Sequence, residues 1–439
     1  MLFHSAQSLT GFRYIPIMIP GTFVLWGIAL ARLKIVLETL PDKGLISSIE
    51  KERGKGRDDF PARAMWNLVV AGVVFGHATM ASLLRELRRN IQLAHVCGFG
   101  FSKLPSDWNM SRFIAILLKH EDEIRDIFEG LCQELYLLLS SFGQELAIDS
   151  KWIESAANKA SKKRNPDGRS ETDARKGIKR YSGIREDGTA WEKTMSCFGF
   201  KVHLLADANY ELPIAYEVTD AATSDIAQSK KMIKKLGRER SEVLEACHSL
   251  MADRGYDSTE LITMLKGKDI KAVIDKRAMW KGQTEKQVPG YEDAYYDEAG
   301  NVYCYTSRSE RKMMVPNGYE QKRGATRFKC PASAYGIGCP DIAACKCKNI
   351  RIPLSTDPRI FTQVQRGTCK WKRLYKKRTA VERINSRLDG AYKFEEKRMR
   401  GLGRAKLHIG LALLTMLVTA VWKARDSQME YLRSLVKIA

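Results

Sequence analysis

The stretch Ser249-Leu-Met-Ala-Asp-Arg-Gly-Tyr-Asp-Ser258 decides the fold. Its apolar start reads as a short buried strand, and Gly255 and Ser258 mark a turn into a capped helix. The strand runs straight into Asp253. A carboxylate at the end of a buried strand is costly unless something positive meets it. A second such place lies upstream, where Glu145-Leu-Ala-Ile-Asp-Ser-Lys-Trp-Ile153 is an apolar run ending on Asp149.

Between these two places the pattern alternates. Phe198–Ala208 and Leu212–Ala221 read as strands flanking the turn Ala208-Asn-Tyr-Glu211, an antiparallel hairpin. Ser224 caps a helix running to Leu236, Ser258 caps another, and Ile270–Arg277 is a further strand. Strand, hairpin, helix, strand, helix, strand is the order of a mixed α/β sheet. Residues 145–277 form the first part of this core. Residues 278–360 interrupt it and are rich in Gly, Tyr, Lys and Cys, which reads as an inserted, strand-rich subdomain. A helix resumes at about Trp371 and carries Glu382, so residues 361–439 form the second part of the core. It ends on a buried helix at Ile409–Trp422, too short to span a bilayer.

Residues 50–144 read as all-helical. Pro61 sits at a helix N-terminus, Gly76 breaks that helix, and Thr79 caps a second one ending in Arg85, Arg88 and Arg89. The pair fits a DNA-binding helix-turn-helix, and equally any helical hairpin. A longer helix follows from about Asn109 to Ser140. Residues 1–49 form an apolar extension. Tyr14–Ala31 lacks charge and just reaches spanning length, but an amphipathic pattern from Trp26 onward reads it as a core or dimer-contact helix rather than a span.

The net charge of +22 favours a polyanionic partner, nucleic acid before anionic membrane. Lys159, Lys162, Lys163, Arg164, Arg169, Arg175, Lys176, Lys179 and Arg180 crowd a loop after Asp149 and read as phosphate contacts rather than a solvated tether. The ten cysteines do not form the dense framework of a short secreted chain. Cys97, Cys132, Cys197 and Cys247 read as buried thiols. Cys304, Cys330, Cys339 and Cys345, with Cys347, cluster in the insertion, where a four-thiolate zinc site and buried free thiols are both open readings. Trp280, at the start of the insertion, reads as a packing residue before a base-stacking one. Asp207, Asp220, Asp225 and Asp257 read as turn or cap residues, and His203 as a packed, hydrogen-bonded histidine.

Asp149, Asp253 and Glu382 converging at one sheet edge would repel unless cations held them. Mg²⁺ takes one or two carboxylates and leaves positions for phosphate oxygens. Two such ions about 4 Å apart serve phosphoryl transfer.

At these residues the chain resembles the DDE-type insertion-sequence transposases of the broad IS4/IS5/IS1182-like group, over about residues 50–425. "GRDDFPARAMWNLVVAGVVFG" resembles the family's helical N-terminus and "LAIDSKWI" its first catalytic strand. "TDARKG" and "GFKVHLLAD" resemble the next blocks, and "MADRGYDS" the second catalytic block. "YKKRTAVERINSRLDG" resembles the tyrosine-arginine-glutamate block at Tyr375, Arg378 and Glu382. The resemblance implies an RNase H-like core with Asp149, Asp253 and Glu382 as catalytic metal ligands for two Mg²⁺ (or Mn²⁺) ions. Tyr375 and Arg378 would lie at the DNA with Lys162, Lys163, Arg164, Lys179 and Arg180. It also implies cleavage and joining of double-stranded DNA at terminal inverted repeats, insertion into target DNA, a homodimer or higher multimer, and a bacterial cytoplasm rather than a membrane. One position departs: Asp389 stands where the family often has lysine. A catalytically inactive, transposase-derived DNA-binding protein is the alternative.

Overall fold

The computed structural model describes residues 14–19, 22–53, 60–100, 103–159, 170–185, 187–396 and 398–437. Two strands, β1 (Tyr14–Ile19) and β2 (Thr22–Gly27), pair antiparallel, and the first helix begins only at Ile28. The helix expected over 14–31 is therefore corrected. Pro16, Pro20 and Gly21 are poor helix residues, while Ile15, Ile17, Ile19, Thr22, Phe23 and Val24 favour extended backbone.

Among the described residues, seven helices follow: α1 (Ile28–Thr39), α2 (Lys43–Arg53), α3 (Ala62–Val74), α4 (Met80–Arg89), α5 (Ile91–Cys97), α6 (Asp107–Leu117) and α7 (Glu121–Leu138). α3 is buried almost along its whole length. α4 starts on the Thr79 cap, buries Leu83, Leu84 and Leu87, and leaves Arg85, Arg88 and Arg89 exposed. The single helix expected over 109–140 is two. A 3₁₀ turn at Leu118–His120 divides it, and there His120 is held between Glu52 and Glu123. Glu121, Asp122 and Glu123 then open α7, where acidic side chains suit the positive end of the helix dipole.

The core sheet comprises β3 (Glu145–Glu154), β4 (Arg175–Ile184), β5 (Ala190–Asp207), β6 (Leu212–Asp220), β7 (Ser249–Ala252) and β8 (Lys271–Ile274). Its order is β4-β5-β3-β7-β8, with β6 on β5. β3, β7 and β8 run parallel, and β5 runs antiparallel to β3, β4 and β6. α8 (Asp225–Glu239), α9 (Ser241–Ala246) and α10 (Thr259–Lys266) supply the crossovers between β6 and β8. The hairpin around Ala208–Glu211 forms as read, and Asp207 fastens it by accepting from the N–H groups of Gly143, Asn209 and Tyr210. Arg175–Arg180 lie on β4 rather than in a loop. Their alternating sequence pairs with the first half of β5, which begins eight residues before the hydrophobic run that betrayed it in the sequence.

The insertion holds a four-stranded sheet and a three-stranded one. The first is β9 (Glu285–Gln287), β10 (Ala294–Asp297), β11 (Val302–Tyr305) and β12 (Arg311–Met313). The second is β13 (Val315–Glu320), β14 (Ala325–Lys329) and β15 (Asn349–Pro353), with the short α11 (Pro331–Tyr335) between β14 and β15. They share a small core of their own, including Val288, Tyr296, Val302, Phe328, Ile350 and Phe361. Arg359 pins the insertion to the main sheet through Asp257, whose side chain is fully buried and also accepts from the Arg277 N–H.

The chain closes with α12 (Cys369–Lys376), α13 (Ala380–Tyr392) and α14 (Leu402–Arg425). The helix read as continuous from Trp371 is broken at a 3₁₀ turn, Lys377–Thr379. α14 is longer than the apolar run in the sequence and is apolar enough to cross a membrane, yet 89% of its most apolar window is buried. It lies against α7, β6, α1 and α3, so one continuous core joins the N-terminal helices to the sheet.

Candidate active site

Parallel pairing sets Ala147 of β3 opposite Met251 of β7. Two residues further along each chain stand Asp149, on β3, and Asp253, just past the end of β7. β7 stops at Ala252, while β3 continues to Glu154, so Asp149 is a mid-strand residue and not a strand end. Burial pushes the Asp149 carboxyl up to about 6, and the charge of Asp253 pushes it the same way; the Ser150 N–H, donating at 2.7 Å, and the cations Lys179 and Arg378 oppose. Asp253 caps the single turn Arg254–Tyr256 by accepting from the Gly255 N–H at 2.7 Å.

Glu382 stands in the first turn of α13. Val381, Ile384, Leu388 and Tyr392 form the buried stripe of that helix, and Glu382 stands beside it. Arg383 and Arg387 tie α13 to the β5–β6 turn at Glu211. Arg378 donates to Glu382 Oε1 at 2.6 Å and lies 5.5 Å from the Tyr375 ring centre, which stacks on Trp371 at 4.6 Å. Burial raises the Tyr375 phenol, and the charges of Asp275 and Asp253 add to it. Tyr375 and Arg378 thus lie near the aspartates, Tyr375 feeling the charge of Asp253 and Asp149 that of Arg378, while Glu382 is held on Arg378. Among the described residues, however, no three His, Cys, Asp or Glu side chains stand close enough to hold a metal ion as they lie. Glu382 is half exposed and engaged by Arg378.

Asp389, where the resemblance leads one to expect lysine, accepts from Lys151 of β3, which also pairs with Glu395 at 2.7 Å. A cation is therefore present beside α13, but it comes from the strand. Lys179 and Arg180 lie on β4; Lys162, Lys163 and Arg164 fall outside the described residues.

Behind Asp149 is a polar cluster whose members the sequence showed singly but did not join. Asp225 accepts from the buried Lys201 ammonium at 2.9 Å and lies 3.6 Å from His203 Nδ1. Burial pushes the Asp225 carboxyl up, but the Lys201 hydrogen bond and charge outweigh it and leave it lowered. Burial drives His203 down to about 4, so the imidazole is neutral, and its Nε2 meets Thr219 Oγ1 at 3.0 Å. The buried Tyr256 ring follows Asp253, and burial with the charges of Asp149, Asp225 and Asp253 raises its phenol. Asp225 is thus more than a cap. Its signal was the alternation Lys201, His203 and Thr219 on one face of β5–β6, which only cross-strand register aligns.

In the insertion, all ten cysteines of the chain being free thiols, Cys304 sits on β11 and Cys330 follows β14. The Cys330 N–H donates to the Lys348 carbonyl at 3.0 Å, and the Cys347 N–H to Cys345 Sγ at 3.2 Å. Lys312 and Ser307 hold the 338–341 segment against the β11–β12 turn through Gly338 and Asp341. Burial pushes the Cys304 thiol up to about 11, and Cys330, Cys345 and Cys339 add to it. Trp280 packs edge-on to Tyr296 at 5.7 Å within the insertion core.

A mixed sheet that carries Asp149 on β3 and Asp253 just past the end of the adjacent β7, beside the basic helix pair α12–α13, is the frame the sequence reading called for. Residues 141–418 match the family described as the transposase DDE domain, and residues 30–115 match a second family described as a transposase domain. The chain belongs to the transposase DDE-domain family. No curated protein matches it. Among solved structures, a piggyBac transposase synaptic complex with hairpin DNA is similar over 93% of this chain and 79% of that chain. The identity is 11% and the TM-score 0.39.

Proposed function

We propose that this transposase cuts the ends of an insertion sequence at terminal inverted repeats and joins them to target DNA, using two Mg²⁺ (or Mn²⁺) ions held by Asp149, Asp253 and Glu382. The observation that carries this is the register of β3 and β7, which sets two carboxylates side by side under Arg378. Their mutual repulsion and hard oxygen donors suit a divalent cation. When bound, the metal activates the attacking oxygen and stabilises the leaving one.

The chain's own groups do the rest. Arg378, planar and braced by Tyr375, can exchange Glu382 for a DNA phosphate by bidentate hydrogen bonds, and this frees Glu382 toward the aspartates. Lys179 and Arg180 on β4, and Lys162, Lys163 and Arg164, supply phosphate contacts. The exposed arginines of α4 are the base-reading candidates. Water opens the terminal phosphodiester, and the freed 3′-hydroxyl attacks the target. Two ends must be held together, which calls for a dimer or higher multimer acting on DNA in the bacterial cytoplasm. In the insertion, Cys304, Cys330, Cys339 and Cys345 are four soft donors that would have to draw closer than they lie to take a structural zinc ion.

Asp149→Asn, Asp253→Asn and Glu382→Gln should each abolish metal-dependent cleavage of repeat-end DNA while binding survives. Full cleavage by the Asp253 variant overturns the assignment. Retained binding with no cleavage by the wild-type chain in any divalent metal would favour the inactive DNA-binding reading.

A further inference from the structure

β4 and the first half of β5 leave the sheet together. β3 pairs with β5 only from Gly199 onward, and β4 pairs with Ala190–Gly199, so Arg175–Ile184 and Ala190–Gly199 form a two-stranded arm. The arm starts at the acids: Lys179 Nζ lies 5.2 Å from the Trp152 ring centre and 4.0 Å from Asp225, and its charge acts on Asp149. A lone two-stranded ribbon is marginal in water, and this one exposes large apolar side chains along its length.

Strand register sorts them. Lys179 faces Met195, Tyr181 faces Lys193, and Gly183 faces Trp191, so one side of the arm alternates cation and apolar group. Tyr181 is 41% exposed, Trp191 36% and Met195 44%, and Lys193 is exposed. Trp191 lies across Gly183, where a Cβ would come within 2.7 Å of the indole nitrogen, so only glycine admits the ring there. Six basic residues oppose three acidic ones between 175 and 199. At about 3.4 Å per residue, Tyr181 and Lys193 stand roughly 7 Å beyond Lys179, and Trp191 roughly 14 Å.

We propose that this face is a binding surface for the DNA strand that flanks the cleavage site, with Tyr181 and Trp191 as platforms for unpaired bases and Lys179 and Lys193 against the neighbouring phosphates. The proposal rests on the transposase reading above and names the strand contacts beside that site. Aromatic rings meet base faces only where bases are unstacked, and cations between them follow the backbone.

The test uses the full chain in Ca²⁺, a blunt duplex, and the same duplex with an unpaired thymidine tail, at several salt concentrations. Tyr181→Ala and Trp191→Ala should each weaken tailed-DNA binding about 5- to 100-fold, with an unchanged salt slope and blunt-duplex affinity within about twofold. Gly183→Ala keeps both rings but displaces the indole, and should weaken tailed DNA in the same sense. Lys193→Ala should instead lower the log–log salt slope by about one. Unchanged tailed-DNA affinity in both ring variants, or equal losses on both DNAs, overturns the platform. Dissociation of an oligomer with DNA affinity intact would make the arm a contact between copies. If the wild-type chain binds neither DNA, the transposase reading fails first and this surface with it.

Discussion

Replacing Asp149 by asparagine should make the metal-free protein more stable at neutral pH, although in the proposed mechanism it removes a metal ligand. Asp149 is raised from an ordinary 3.8 to about 6, first by burial and then by the charge of Asp253. A carboxyl with a raised folded pKa binds its proton more tightly folded than unfolded. Its ionised form therefore opposes folding. That penalty is absent below about pH 4, grows as pH rises, and is complete above about pH 6. The displacement corresponds to at most about 3 kcal/mol. The asparagine side chain carries no charge and can still accept from the Ser150 N–H. Urea unfolding in chelator should show the two proteins matched near pH 4 and the variant ahead by about 1–3 kcal/mol at pH 8. A divalent ion at about 1,000 times its Kd should then reverse the order, because it stabilises the wild-type fold by about 4.1 kcal/mol and finds a weakened site in the variant. Equal stability at both pH values, or a less stable variant at pH 8 in chelator, would refute the argument from burial and repulsion.

Arg359→Ala leaves the buried Asp257 carboxylate without its partner and should destabilise the protein by about 3–5 kcal/mol. Limited proteolysis should then release the insertion, and an unchanged digestion pattern would show that other contacts dock it. Metal analysis should find about one zinc per chain, lost with Cys330→Ser or Cys339→Ser; metal-free protein of unaltered stability would leave four free thiols. Replacing Lys162, Lys163 and Arg164 with alanine should lower the log–log salt slope of DNA binding by about 2–3 and weaken specific and scrambled duplex alike. Loss of repeat preference alone would move base reading from α4 to that segment.

Sequence and structure divide the protein unevenly. Asp253, with its strand and turn, was legible because an apolar run, a glycine and a capping serine are local signals. The β5–β6 hairpin and the strand-rich insertion were legible for the same reason. Local signals failed where long-range pairing overrides them. Arg175–Arg180 read as the end of a basic, phosphate-contacting loop until β5 supplied a partner strand. Tyr14–Ala31 read as a helix, but Tyr14–Ile19 and Thr22–Gly27 pair with each other as strands. The 109–140 helix broke where His120 met Glu52, a residue 68 positions away. The acid pair was nameable from sequence, but its geometry was not. That Asp149 lies near Asp253 is a property of parallel register, and that Asp225 and Lys201 lie behind it is a property of where α8 packs. Periodicity and capping are written within a few residues of chain. Burial, electrostatic coupling and the meeting of charges depend on which distant segments share a face, and that is settled only when the chain folds.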